Sequence, residues 1–212
     1  RSMFETVTSF PDSTFYDTSA WSAALSYGLP HAAVQDASVP RGAQVSEVPE
    51  RRGLGDVARP AVAYLIDWGD YRAAKALHVL HDHDLTTKTA YEPFTSATHE
   101  YPRGTIQVPV QPQTITPDSL HRLMEHVEQE AGVNIEAAPT SLTPDGVDLG
   151  SGSFEPLDAP DPLMLVGDGV SSYEAGEVWH LLDTRVNMPI TKVERSDWSR
   201  VDLPEYNTLV LV

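Results

Sequence analysis

Hydrophobic and polar positions settle into a regular order from residue 60 onward. The run "AVAYLID" (61–67) is short and almost wholly apolar, which predicts a buried strand. "DYRAAKALHVLHDH" follows with Ala73, Leu77 and Leu80 at helical spacing. "LTTKTAYEPF" (85–94), rich in threonine and aromatic residues, predicts a second strand, and the alternating "GTIQVPV" (104–110) a third. "TPDSLHRLMEHVEQEAG" then carries both helix signals: Thr116 as N-cap with Pro117 at the first helical position, and Gly132 just past the end. Leu120, Leu123, Met124 and Val127 form its apolar face, and "VNIEAAP" predicts the strand after it.

A turn-rich stretch, "TSLTPDGVDLGSGSFEPLDAPDP" (140–162), interrupts the cycle. It restarts with the strand "LMLVG", a helix from Tyr173, the strand "MPITKV" and a final strand in "LPEYNTLVLV". Alternating strands and helices predict an α/β fold with a mostly parallel sheet flanked by helices. The last strand has no helix behind it, so the second α/β unit reads as cut short. Upstream, aromatic residues crowd positions 10–27, where Ser19 to Tyr27 predicts a short helix, while 35–59 is broken by Pro, Gly, Arg and Glu. The expected organisation is an aromatic packing segment and linker over 1–59, a first α/β unit over 60–158 and the start of a second over 159–212.

Composition narrows the partners. The 212 residues carry a net charge of −17, with eleven arginines but three lysines. Such a surface repels phosphate backbones and argues against nucleic acid. Acidity with few lysines also fits a salt-adapted protein. No apolar run nears the roughly 18 residues of a membrane span, and no cysteine is present for thiolate metal sites or nucleophiles.

The turn "VGDGVSS" (166–172) invites a nucleotide-binding reading. Gly167 and Gly169 fit a Gly-x-Gly-x-x-Gly fingerprint, but Ser172 stands at the third position and no phosphate-loop lysine is near. A Gly-x-Ser-x-Gly elbow fails at Tyr173. What remains is a capped strand-to-helix turn: Ser171 with Glu174 three residues on forms a capping box, and Ala175, Val178, Trp179 and Leu182 an apolar face. His78 and His81 lie one turn apart, as metal ligands can, yet no third ligand follows from the sequence. Loops at the carboxyl ends of strands often bind ligands. Asp67 and Asp70 after the first strand, and Asp168, Ser171 and Ser172 after "LMLVG", are therefore the ligand-loop candidates. Catalytic, cofactor-binding and metal residues are assigned to none.

"FPDSTFYDTSAW" with "LSYGLP", then "YPRGTIQVPVQ", "DGVDLGSGSF", "GDGVSSYEAGEVWHLLDTRVNMPIT" and "VDLPEYNTLVLV", resemble, in that order, the region C-terminal to the catalytic domain of large bacterial zinc carboxypeptidase-like metallopeptidases. The resemblance implies a class I glutamine amidotransferase-like, flavodoxin-like fold in a non-catalytic accessory region of an exported enzyme. Its partner would be the peptidase domain upstream. There the zinc would be held by a His-x-x-Glu pair and a distant His, alongside a catalytic Glu. This chain has no His-x-x-Glu, so no ligand is carried onto it. An independent amidotransferase-like enzyme is disfavoured by the missing cysteine. The alternative is a ligand-binding α/β module using the strand-end loops.

Overall fold

The computed structural model describes residues 31–32, 42–44, 46 and 57–212. The aromatic segment 10–27, its helix and most of the linker 35–59 lie outside the described residues. The chain divides into units 1–50 and 51–212, and the architecture below belongs to the second.

Strands β1 (Ala63–Ile66), β2 (Thr87–Ala90), β5 (Ile106–Pro109), β6 (Glu136–Ala138) and β8 (Phe154–Leu157) form a five-stranded sheet in the order β6-β1-β5-β2-β8. Helix α1 (Ala73–Asp82) joins β1 to β2, and α2 (Pro117–Ala131) joins β5 to β6. The chain is thus a mixed α/β protein, but every neighbouring pair in this sheet is antiparallel. The predicted mostly parallel sheet needs correction here. Each strand–helix–strand unit sets its second strand two places from its first, and a strand of the other unit fills the gap. The result is the split β-α-β arrangement of ferredoxin-like folds, with β8 added at one edge.

The alternation of strands and helices suggested parallel strands, and such sheets are usually covered on both faces. This antiparallel sheet is covered on both faces too. Tyr64, Ile66, Ile106 and Val108 pack against Ala76 and Leu80 of α1 and Leu120, Met124 and Val127 of α2. Ala63 and Leu65 point the other way, into a cluster with Phe94, Tyr101 and Phe154. That second layer is the small sheet β4-β3-β7, built from β3 (Phe94–Ser96), β4 (His99–Tyr101) and β7 (Asp145–Gly146). The rings of Phe94 and Tyr101 stack at 5.0 Å, and Phe154 meets Phe94 edge-on at 5.2 Å.

Helix α2 has the predicted ends. Thr116 Oγ1 accepts from Ser119 N at 3.3 Å, and Gly132 closes the helix at φ 73°. Glu128 on its buried side has 2% exposure and accepts from Ile135 N at 3.2 Å, tying the helix to the segment leading into β6.

Parallel pairing occurs in the C-terminal sheet, where β9 (Pro162–Val166) lies between β10 (Thr191–Glu194) and β11 (Thr208–Val210). Helix α3 (Ser172–Trp179) follows β9 and continues as a π-helical segment, His180–Val186, stopped by Asn187 at φ 65°. Met164, Ala175 and Ile190 form the centre of this part, with Val166, Val178, Leu182 and Val210 around them. No described helix is long and apolar enough to cross a membrane.

Candidate functional site

Asp67, Trp68, Gly69 and Asp70 turn the chain from β1 into α1. Asp67 Oδ1 accepts from Gly69 N at 2.7 Å, and Asp70 Oδ1 from Arg72 N at 3.0 Å, both side-chain turns of the kind aspartate favours. The same loop also lines a cleft of about 160 Å³, together with Leu65, His99, Tyr101, Asn134 and Glu136. Three elements meet here because the split topology sets the start of β6 beside the end of β1, with Leu65 opposite Glu136, and the β3–β4 layer lies against this face of the sheet.

Glu136 organises the cleft. Its Oε2 accepts from Tyr101 Oη at 2.9 Å and its Oε1 from Asn134 Nδ2 at 3.2 Å. His99 stands between two carboxylates, its Nδ1 3.8 Å from Glu136 Oε1 and its Nε2 4.0 Å from Asp67 Oδ2. The His99 and Tyr101 rings meet at 4.5 Å. Burial, the hydrogen bond to Glu136 and the charges of Glu136 and Asp67 all push the Tyr101 hydroxyl above its ordinary value. Tyr101 is therefore a fixed donor rather than a base. The groups around the opening are mainly acceptors. Such a lining suits an ammonium or guanidinium group.

No family model, no curated protein and no solved structure matches this chain. Function has to be read from the geometry of the residues themselves.

Asp168 and Ser171 lie on the turn between β9 and α3 and Ser172 opens α3, apart from the Asp67–Asp70 loop in the fold. Ser171 Oγ accepts from Glu174 N at 3.4 Å, one half of the predicted capping box. Gly167 and Gly169 both have positive φ, and the carbonyl of Asp168 accepts from the Arg195 guanidinium at 3.3 Å. Ser172 lines a second, more apolar groove with Trp179 and Lys192. Trp179, expected on the packed face of α3, is 42% exposed, and Lys192 Nζ sits 4.1 Å from its ring centre.

The histidines of α1 are engaged singly. His81 Nε2 is 2.8 Å from Thr87 Oγ1, and His83 Nδ1 is 2.9 Å from the carbonyl of Val79. Among the described residues no three His, Asp or Glu side chains are grouped closely enough to hold a metal, so these residues do not fit a zinc centre.

Sequence reasoning missed His99, Tyr101, Asn134 and Glu136. The signal lay in "THEYP", where His99 and Tyr101 are two residues apart and so share a face of a strand. Glu136 begins a strand that was predicted, but its neighbours come from 35 and 37 positions away, as its contacts to Tyr101 and His99 show.

Proposed function

We propose that this chain is a non-catalytic accessory region of an exported zinc carboxypeptidase-like metallopeptidase. Its partner is an upstream peptidase domain that holds the zinc and the catalytic Glu, and its own contribution is to hold a cationic group of a peptide. The observation that carries the binding role is the cleft in which Asp67 and Glu136 flank His99 at 4.0 and 3.8 Å. Tyr101, kept protonated by its surroundings, offers no nucleophile there. The strand order β10-β9-β11, with β9 central and all strands parallel, is how a doubly wound sheet begins. It supports an amidotransferase-like, flavodoxin-like second unit.

The test has two arms. The purified chain and the full polypeptide are assayed for peptide hydrolysis, and hydrolysis by the chain alone overturns the accessory role. The chain is then titrated with N-acetyl-arginine amide and its neutral citrulline analogue while the His99 ring resonances are followed. Saturable binding of the arginine compound, weakened about tenfold or more in Asp67→Asn/Glu136→Gln, is expected. Equal response to both compounds overturns the cationic-group reading.

A second reading, a ligand-binding α/β module, is favoured by the groove beside Ser172. A thermal-shift screen of anions, nucleotides and amino acids tests it, since a ligand of the folded state raises the unfolding temperature.

A further inference from the structure

The groove under the β9–α3 turn has a volume of about 410 Å³, within the range of small-molecule sites. Met164 and Val166 of β9 form its floor, Ala175, Gly176 and Trp179 of α3 one wall, and Lys192 of β10 the other.

Gly176 lies inside an eight-residue helix. Glycine there weakens the helix relative to alanine. Its backbone needs no left-handed conformation, and a Cβ built on it would meet nothing within 4 Å. Neither a turn nor a close helix contact accounts for this glycine, and its effect is to leave the groove wide. Trp179 sits three residues on along the same wall and is 42% exposed.

Charge points the same way. The chain carries −17 overall, yet among the described residues lining the groove Lys192 is the cation and none is a carboxylate. At the end nearest the turn, the Glu194 carboxylate lies over Gly167 and the Arg195 guanidinium over Gly169, so the two opposite charges flank that end together. The Lys192 ammonium lies over the Trp179 ring, 4.1 Å from its centre, so the cation already covers one face of the indole and a ligand ring would use the part left exposed.

The geometry points to a binding site for a small aromatic monocarboxylate, its ring against Trp179 in the space left by Gly176 and its carboxylate on the Lys192 ammonium. This site is independent of the acidic cleft and of the accessory role proposed above.

Isothermal titration of the whole chain with phenylacetate and indole-3-acetate tests it, with phenylacetamide as the neutral isostere and acetate as the anion without a ring. Saturable binding of the aromatic acids is expected, about tenfold or more weaker for the amide and for acetate. Lys192→Met should bring the acids down to the level of the amide and leave the amide unchanged. Affinity should fall in the order Gly176, Gly176→Ala, Gly176→Leu, while the alanine variant unfolds at the same temperature as the parent or higher. That outcome separates a filled groove from a damaged fold. The site is overturned if neither aromatic acid saturates, if acetate binds as well as phenylacetate, if Lys192→Met leaves acid and amide affinities unchanged, or if Gly176→Leu binds as the parent does.

Discussion

The Tyr64 hydroxyl lies 3.0 Å from His121 Nδ1, linking the interior strand β1 to helix α2 inside the main core. The two rings stack at 6.4 Å with 19° between their planes, and His121 Nε2 is 3.5 Å from Glu125 Oε1 one turn along. A polar pair in this position holds the helix against one strand register, because a hydroxyl buried without a partner is costly.

Burial pushes the Tyr64 hydroxyl up to about 12, with Arg59 opposing and Glu125 adding to the shift. A folded value above the unfolded one of about 10 means the neutral phenol's contribution is complete below pH 10 and is lost as pH rises toward 12. Urea unfolding at pH 8 and pH 11.5 should show a fall of about 2 kcal/mol from this residue. Tyr64→Phe should flatten that alkaline fall while costing about 1–2 kcal/mol at pH 8, where it leaves His121 Nδ1 unpaired.

His81 gives the opposite limb. Burial, reinforced by His78 and opposed by Asp158, holds its imidazole below the ordinary histidine value. Among the described residues its buried Nδ1 has no hydrogen-bond partner. A depressed folded value means stability is intact above pH of about 6.5 and declines as pH falls below it. Denaturation midpoints at pH 7.5 and pH 5 should therefore differ less in His81→Gln than in the parent.

Two glycines with positive φ should respond unequally to alanine. Gly132 at φ 73° has its nearest neighbour, Arg72 Cδ, at 3.4 Å from an added Cβ, and Gly132→Ala should cost about 1 kcal/mol. At Gly146, φ 81°, the same atom would strike the Pro93 carbonyl and come within 2.6 Å of Phe94 Cα. Gly146→Ala should cost about 2 kcal/mol or more, with loss of the near-ultraviolet signal of the stacked Phe94 and Tyr101 rings. Equal costs would mean β7 is not pinned against β3.

Glu128, almost fully buried, serves Ile135 N as acceptor at 3.2 Å. Glu128→Ala should destabilise the fold by about 1–3 kcal/mol by leaving that amide unpaired. Glu128→Gln, which keeps a carbonyl at the same reach, should recover most of the loss in a chemical denaturation series.

What was legible in the sequence was local. Thr116, Pro117 and Gly132 specify helix α2 through contacts within four residues of each end, and Ser171 begins α3 in the same way. Strand pairing was not legible, since alternating strands and helices serve a parallel sheet and a split βαβ sheet equally well. "LTTKTAYEPF", read as one strand, is β2 and β3 separated by a break at 91–93. The turn-rich 140–162 stretch hides β7 and β8, because a two-residue bridge and a strand containing Pro156 leave little periodicity. Of the ligand-loop candidates, Asp67 and Asp70 do line the acidic cleft, and Ser172 the apolar groove. The cleft is completed by distant segments, of which the spacing of His99 and Tyr101 alone left a local signal, whereas the groove is mostly local to Ser172 and is completed by Lys192 from the neighbouring strand.

The double coverage of β1 also makes its two faces unequal. Tyr64 and Ile66 fit the broad space beneath two helices, and Ala63 and Leu65 the narrow one above stacked rings. A slip of one residue would drive the tyrosine into the aromatic layer and strand its hydroxyl away from His121, while leaving alanine to fill a helix-sized gap. Misregistered chains are thus penalised on both sides at once, and this interior strand acts as a lock that accepts a single setting.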